Sequence, residues 1–149
     1  MNKIIYLFAI IAAMTVIASC EREDFQENNV DEQSITSIPG EWEVKAYLND
    51  TLIYDTFNIF TSQVAGDSII INDTVTNFWN FQVKTEVDEK RNSFQTRLSN
   101  NLMVKDFAVG VKIPVGKIIQ SDSIYLEMQF EDDITPFGNN YQIKGHRIK

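Results

Sequence analysis

From Pro39 onward the chain alternates apolar and polar residues with a period of two, and this limits the possible folds more than any other feature. Successive side chains of a β-strand point to opposite faces, so alternation makes one face apolar and the other polar. Trp42, Val44, Ala46 and Leu48 alternate with Glu41, Glu43, Lys45 and Tyr47, and Asn49-Asp50 is a turn signal. Leu52–Phe60 reads as the partner strand, and Ser68–Ile71 as a short strand between Gly66-Asp67 and Asn72-Asp73. Trp79, Phe81, Val83, Thr85 and Val87 share one face, which leaves Phe78 and Asn80 pointing outward. After a polar turn at Asp88–Asn92, Phe94–Leu98 returns. Met103, Phe107, Val109, Val111 and Ile113 form the next face, interrupted by Lys105, and Pro114-Val115-Gly116 breaks the chain. Ile124, Leu126, Met128 and Phe130 alternate cleanly, Asp132–Asn140 is a loop, and Tyr141, Ile143, Gly145 and Arg147 form the last face.

These segments amount to about eight or nine short strands, the spacing of a sandwich or an up-and-down barrel. Short turns between sequence neighbours favour the meander, and closure removes the exposed edges that endanger an all-β chain. The expected fold is an all-β, antiparallel, up-and-down barrel of about eight strands. Its interior has room for side chains or one small ligand.

The first nineteen residues read as a signal peptide: Lys3 supplies a positive start and Ile4–Met14 an apolar run too short to span a bilayer. The run ends in Ile17-Ala18-Ser19-Cys20, which resembles the bacterial lipobox. That resemblance implies an acylated Cys20 as the mature N-terminus and a membrane partner reached through it. Multiple acyl chains hold stably because each buried methylene contributes about 0.8 kcal/mol. Residues 20–38 then read as the lipidated cysteine and an acidic tether, with six carboxylates after Cys20 against Arg22 alone. Glu21-Arg22-Glu23-Asp24 resembles the surface-export signal of lipoproteins in some gut-dwelling Gram-negative bacteria. An outer-membrane lipoprotein, displayed on the surface, is the expectation; the periplasm-facing leaflet is the alternative. The folded domain is expected over 39–149.

Two residues refine the barrel. Gly40-Glu41-Trp42 resembles the Gly-x-Trp signature that opens lipocalins, and alternation puts Arg147 on the inward face of the last strand. In lipocalin-like barrels a late arginine lies over the early tryptophan, so Trp42 and Arg147 form the expected barrel-closing pair. Such a cation–π contact is worth about 0.5–2 kcal/mol. Further blocks extend the likeness: Gly40–Val44, Phe78–Lys84, Asp122–Tyr125 and Gly145–Arg147 resemble those of the lipid-binding putative hydrolase family, which is calycin-like. The resemblance covers the chain from about Pro39 to the end.

The chemistry-bearing residues are few. The chain has one cysteine and one histidine, which exclude an internal disulfide framework and a multi-histidine metal site. A net charge of −8 argues against nucleic acid as a partner. Gly66-Asp67-Ser68-Ile69 resembles an esterase block, but that class needs an aspartate three residues before its histidine, where Ile143 precedes His146. His146 is expected on the outer face beside Gln142 and Lys144. Glu131-Asp132-Asp133 lacks the alternating oxygen spacing and glycine of a calcium loop. No catalytic residue, metal ligand or cofactor is assigned. A cavity lined by Trp79, Phe81, Val83, Leu126, Met128, Phe130 and Tyr141 would suit a small apolar ligand. The leading expectation is a lipid-anchored envelope protein holding a lipid-like ligand. The alternatives are a surface-displayed structural or interaction module and, more weakly, a hydrolase.

Overall fold

Apolar alternation with tight turns closes on itself here. A computed structural model describes residues 38–73, 75 and 78–149. The proposed leader, Cys20 and the acidic segment through residue 37 lie outside the described residues. Eight strands follow one another: β1 (Gly40–Leu48), β2 (Thr51–Val64), β3 (Ser68–Asn72), β4 (Gln82–Asp88), β5 (Ser93–Asn100), β6 (Gly110–Ile119), β7 (Ser123–Phe130) and β8 (Tyr141–Arg147). Each pairs antiparallel with its sequence neighbours, and β8 pairs with β1, giving a closed barrel in chain order. The expected all-β, up-and-down architecture is the observed one.

The two ends of the barrel differ. At one end the strands are joined by short turns, at 65–67, 89–92 and 120–122. At the other, the β3–β4 connection and loops 101–109 and 131–140 accompany one tight turn at Asn49-Asp50. Both residues of that turn have positive φ, 48° and 62°, the geometry whose twist suits a two-residue hairpin. Inward positions fill the interior with Val44, Phe57, Ile59, Ile69, Ile71, Ile113 and Ile124, all buried.

The short-turn end is sealed by the first and last strands. The Arg147 guanidinium carbon lies 4.1 Å from the centre of the Trp42 ring. Its Nη1 donates to the Pro39 carbonyl at 2.7 Å and its Nε to the Ser121 carbonyl at 3.1 Å. Beneath it the indole N–H of Trp42 donates to Thr61 Oγ1 at 2.8 Å, and that hydroxyl donates to the Ile38 carbonyl at 2.5 Å. The buried polar groups thus form a connected chain. A Cβ on residue 40 would collide with the Arg147 guanidinium, which gives the Gly-x-Trp pattern a steric reason. Residue 145 sits where β1 and β8 press together, and a Cβ there would collide with the Glu43 carbonyl oxygen and the Val44 Cα.

Three local expectations need correction. The fourth strand starts at Gln82, not Trp79. Asn80 takes a left-handed conformation (φ 52°), and the Asp73 carboxylate accepts the Trp79 backbone N–H, so 78–81 folds as a loop. Met103 and Phe107 are not on a strand face either. Asn101, buried, uses Oδ1 to accept the N–H groups of Gln82 and Met103 and Nδ2 to donate to the Asn80 carbonyl, pinning 101–109 as a loop. Lastly, β6 runs straight through Pro114-Val115-Gly116. The register shifts there against both neighbouring strands, and a bulge tolerates a residue without an N–H.

Gly145→Ala should force the closing seam apart. The expected cost is about 1–3 kcal/mol, the range for overpacking a rigid site. Urea unfolding of both proteins measures it, and an unchanged midpoint would contradict the tight seam.

Candidate functional site

The loop end holds a cluster of aromatic rings built by one unusual connection. Strand β3 has only five residues, so the upper part of β2 runs past it, and residues 78–81, just before β4, form a strap whose Phe78 ring reaches Tyr54 and Phe57 of β2. The strap is fixed at its root. Asp73 is fully buried, its N–H donates to the Phe81 carbonyl at 3.0 Å, and its Oδ2 accepts the Trp79 N–H at 3.0 Å. Burial pushes the Asp73 carboxyl above the usual carboxylate range, against the opposing pull of backbone N–H groups at Trp79, Phe78, Asn80 and Phe81.

The strap places two rings in the mouth. Phe78 packs 5.0 Å from Phe57 and 5.3 Å from Tyr54, so it turns inward rather than outward as strand alternation implied. Trp79 lies flat on Phe130, with centroids 4.4 Å apart and planes 8° apart, and 5.1 Å from Tyr141. Phe81 sits 5.9 Å from Phe130. Such pairs add about 0.5–1.5 kcal/mol each beyond area burial.

Polar groups tie this cluster to loop 131–140. The Trp79 indole N–H donates to Asp132 Oδ1 at 3.0 Å. The Tyr141 hydroxyl donates to Asp133 Oδ2 at 3.0 Å, and Asn139 Nδ2 donates to the same oxygen at 2.8 Å. Burial, then the hydrogen bond to Asp133, raises the Tyr141 hydroxyl pKa. Glu131 accepts the Gly110 N–H at 2.5 Å. All three adjacent acids therefore bind donors of the chain itself and fasten the loops of this end.

Of the seven expected lining residues, Trp79, Phe81, Phe130 and Tyr141 meet at the mouth. Val83, Leu126 and Met128 lie below them on inward faces, fully buried, whereas Trp79 is only half-buried. Phe78, Tyr54 and Phe57 complete the ring cluster and were not among them. The legible signal was Asp73 six residues before Trp79, an acid able to hold a turn. Ser68 and His146 stand on β3 and β8, with β1 and β2 between them. His146 is exposed on the outer wall, 3.5 Å from the Glu43 carboxylate. Two adjoining grooves, of about 340 and 420 Å³, open on the outer wall where β5 and β6 pair irregularly. Arg91, Arg97, Lys112 and Lys117 are among their lining residues, and none of the seven is.

A model of the family described as lipid-binding putative hydrolase matches residues 27–148. The chain belongs to that family. Membership and the closed barrel together support lipid binding in general. No curated protein matches the chain. The blocks that resembled this family occupy the two ends of the barrel. Gly40–Val44, Asp122–Tyr125 and Gly145–Arg147 meet at the sealed end, where the Arg147 N–H donates to the Asp122 carbonyl at 2.7 Å. Phe78–Lys84 carries the strap into β4.

Trp79→Ala should cost about 1–3 kcal/mol, below the range for a fully buried tryptophan because the residue is partly exposed. Thermal unfolding tests this. Asp73→Asn tests the strap root. The wild-type carboxyl is raised on folding, so its contribution is complete below pH 3.8 and is lost as pH rises through the raised value. The stability of wild type relative to Asp73→Asn should therefore decline as pH rises above that point. A difference that stays flat with pH would contradict the raised carboxyl.

Proposed function

We propose that the protein is a lipid-anchored binding protein of the cell envelope that holds a small apolar, lipid-like ligand at the loop end of its barrel. The observation that carries this reading is the Trp79 indole, stacked on Phe130 in the mouth, half-buried, and borne by a strap rather than a strand. A ring held this way can leave without breaking the barrel ladder. An acyl chain taking its place meets Phe81, Phe130 and Tyr141 first, then Val83, Leu126 and Met128. Each methylene it buries contributes about 0.8 kcal/mol, so a few offset the lost stack.

The mouth also favours a kind of headgroup. Asp132 and Asp133 stand beside it and would repel a carboxylate, whereas a neutral hydroxyl could take over the hydrogen bond that Trp79 gives Asp132. Monolauroylglycerol should therefore bind more tightly than laurate at neutral pH. Calorimetric titration with both probes tests this, and failure of both to bind would overturn the reading. Anchoring is separable. Radiolabelled palmitate should enter the wild-type chain and not Cys20→Ser, and protease added to intact cells should cleave the domain if it is displayed outside.

A second reading, an interaction module without a ligand, is favoured by the filled interior, where side chains from all eight strands bury one another. Native mass spectrometry of protein taken from its own membranes separates the two. A co-purified lipid supports the first, and a bare chain the second.

A further inference from the structure

Exposed apolar side chains are not scattered over this barrel. Among the described residues eleven large ones stand exposed, and all but Ile119 and Ile148 belong to the loop end. Four of them, Leu98, Leu102, Met103 and Phe107, come from the β5–β6 hairpin, with Phe107 68% exposed. Ile134, on the neighbouring loop, is 99% exposed. Asn101 is the device that holds the hairpin tip in this form: its side chain satisfies the backbone of the loop, leaving the apolar side chains outside.

The same hairpin is a basic element of an acidic chain. Residues 93–119 carry Arg97, Lys105, Lys112 and Lys117 against Asp106 alone, while the whole sequence has a net charge of −8. Arg97 and Lys112 line the 340 Å³ groove directly below the apolar tip. Lys112 runs over the Phe137 ring, its ammonium 4.0 Å from the ring centre. Apolar tips above a belt of long cations match the layering of an anionic bilayer, in which acyl chains lie beneath phosphates. A patch of this kind on a monomeric surface marks an interaction site.

We infer that the β5–β6 hairpin docks the barrel onto an anionic phospholipid surface, with Leu102, Met103 and Phe107 inserted and Arg97, Lys105 and Lys112 at the phosphates. The chain allows it. The eighteen residues after Cys20 can span at most about 60 Å, roughly twice the height of a nine-residue strand. The described domain begins at its sealed end, at Ile38, and, on the anchoring proposed above for Cys20, that length suffices to turn the loop end toward the membrane. Docking is separate from ligand holding and does not require an occupied mouth.

The test uses the full chain reconstituted in vesicles with brominated acyl chains, carrying either Phe107→Trp or, at the opposite end, Ile148→Trp, each read as the difference from the wild-type chain, whose Trp42 and Trp79 also emit. With phosphatidylglycerol present, the indole at 107 should lose emission relative to unbrominated vesicles, and the indole at 148 should not. The loss should disappear in pure phosphatidylcholine and in the combined Arg97→Gln, Lys105→Gln, Lys112→Gln variant, which should still bind monolauroylglycerol. Equal quenching at both positions, no quenching at 107, or quenching indifferent to the three cations would each overturn the assignment. An unquenched tip would leave this surface to a protein partner.

Discussion

The guanidinium of Arg147 over the indole of Trp42 is the contact on which the rest of the barrel depends. It joins the last strand to the first at the place where the chain enters. The same guanidinium also donates to the Pro39 and Ser121 carbonyls. A meander whose ends fail to meet leaves two open edges and half-exposes its core. Two glycines make the contact possible. Gly40 leaves room for the guanidinium, and Gly145 lets β1 and β8 approach closely enough to pair along seven registered positions.

Sealing one end separates the closing contact from the proposed binding site. At the short-turn end the Arg147 guanidinium lies over Trp42, whose indole N–H begins a hydrogen-bond chain through Thr61 to Ile38. The loop end is a set of rings on a strap, fastened by Asp73, Asp132 and Asp133. Stacked rings resist displacement by an apolar chain less than a closed ladder does, because the chain supplies the same kind of contact it removes. The basic β5–β6 hairpin belongs to the same end. Ligand entry and membrane docking are therefore proposed on one side of the molecule, away from the contact that closes it.

Much of the fold was legible because each inward face was written with period two. β1, β7 and β8 follow their apolar positions closely, and the turn at Asn49-Asp50 follows from residues that accept positive φ. The Trp42–Arg147 contact could be placed from the two ends of the domain alone, since antiparallel closure brings them together. The errors share one cause. Asp73 and Asn101 use side chains to satisfy backbone groups, and this replaces strand pairing with loops at 78–81 and 101–109. Period-two counting ignores such competition, so it extended strands through Trp79 and Phe107. Pro114 failed in the opposite sense: a bulge absorbed it, and bulges leave no periodic trace. At the mouth, alternation found Phe81, Phe130 and Tyr141 but misdirected Phe78, because a residue on a strap obeys no alternation.

The chain has two tryptophans, and the barrel puts one at each end. Their indole N–H signals in a heteronuclear NMR spectrum therefore report the two ends separately. During titration with monolauroylglycerol, the Trp79 signal should shift progressively as the indole leaves Phe130 and Asp132, and the Trp42 signal should stay in place under Arg147. A stationary Trp79 signal at saturating lipid, or a Trp42 signal that moves in step with it, would contradict binding at the loop end of a barrel sealed at the other.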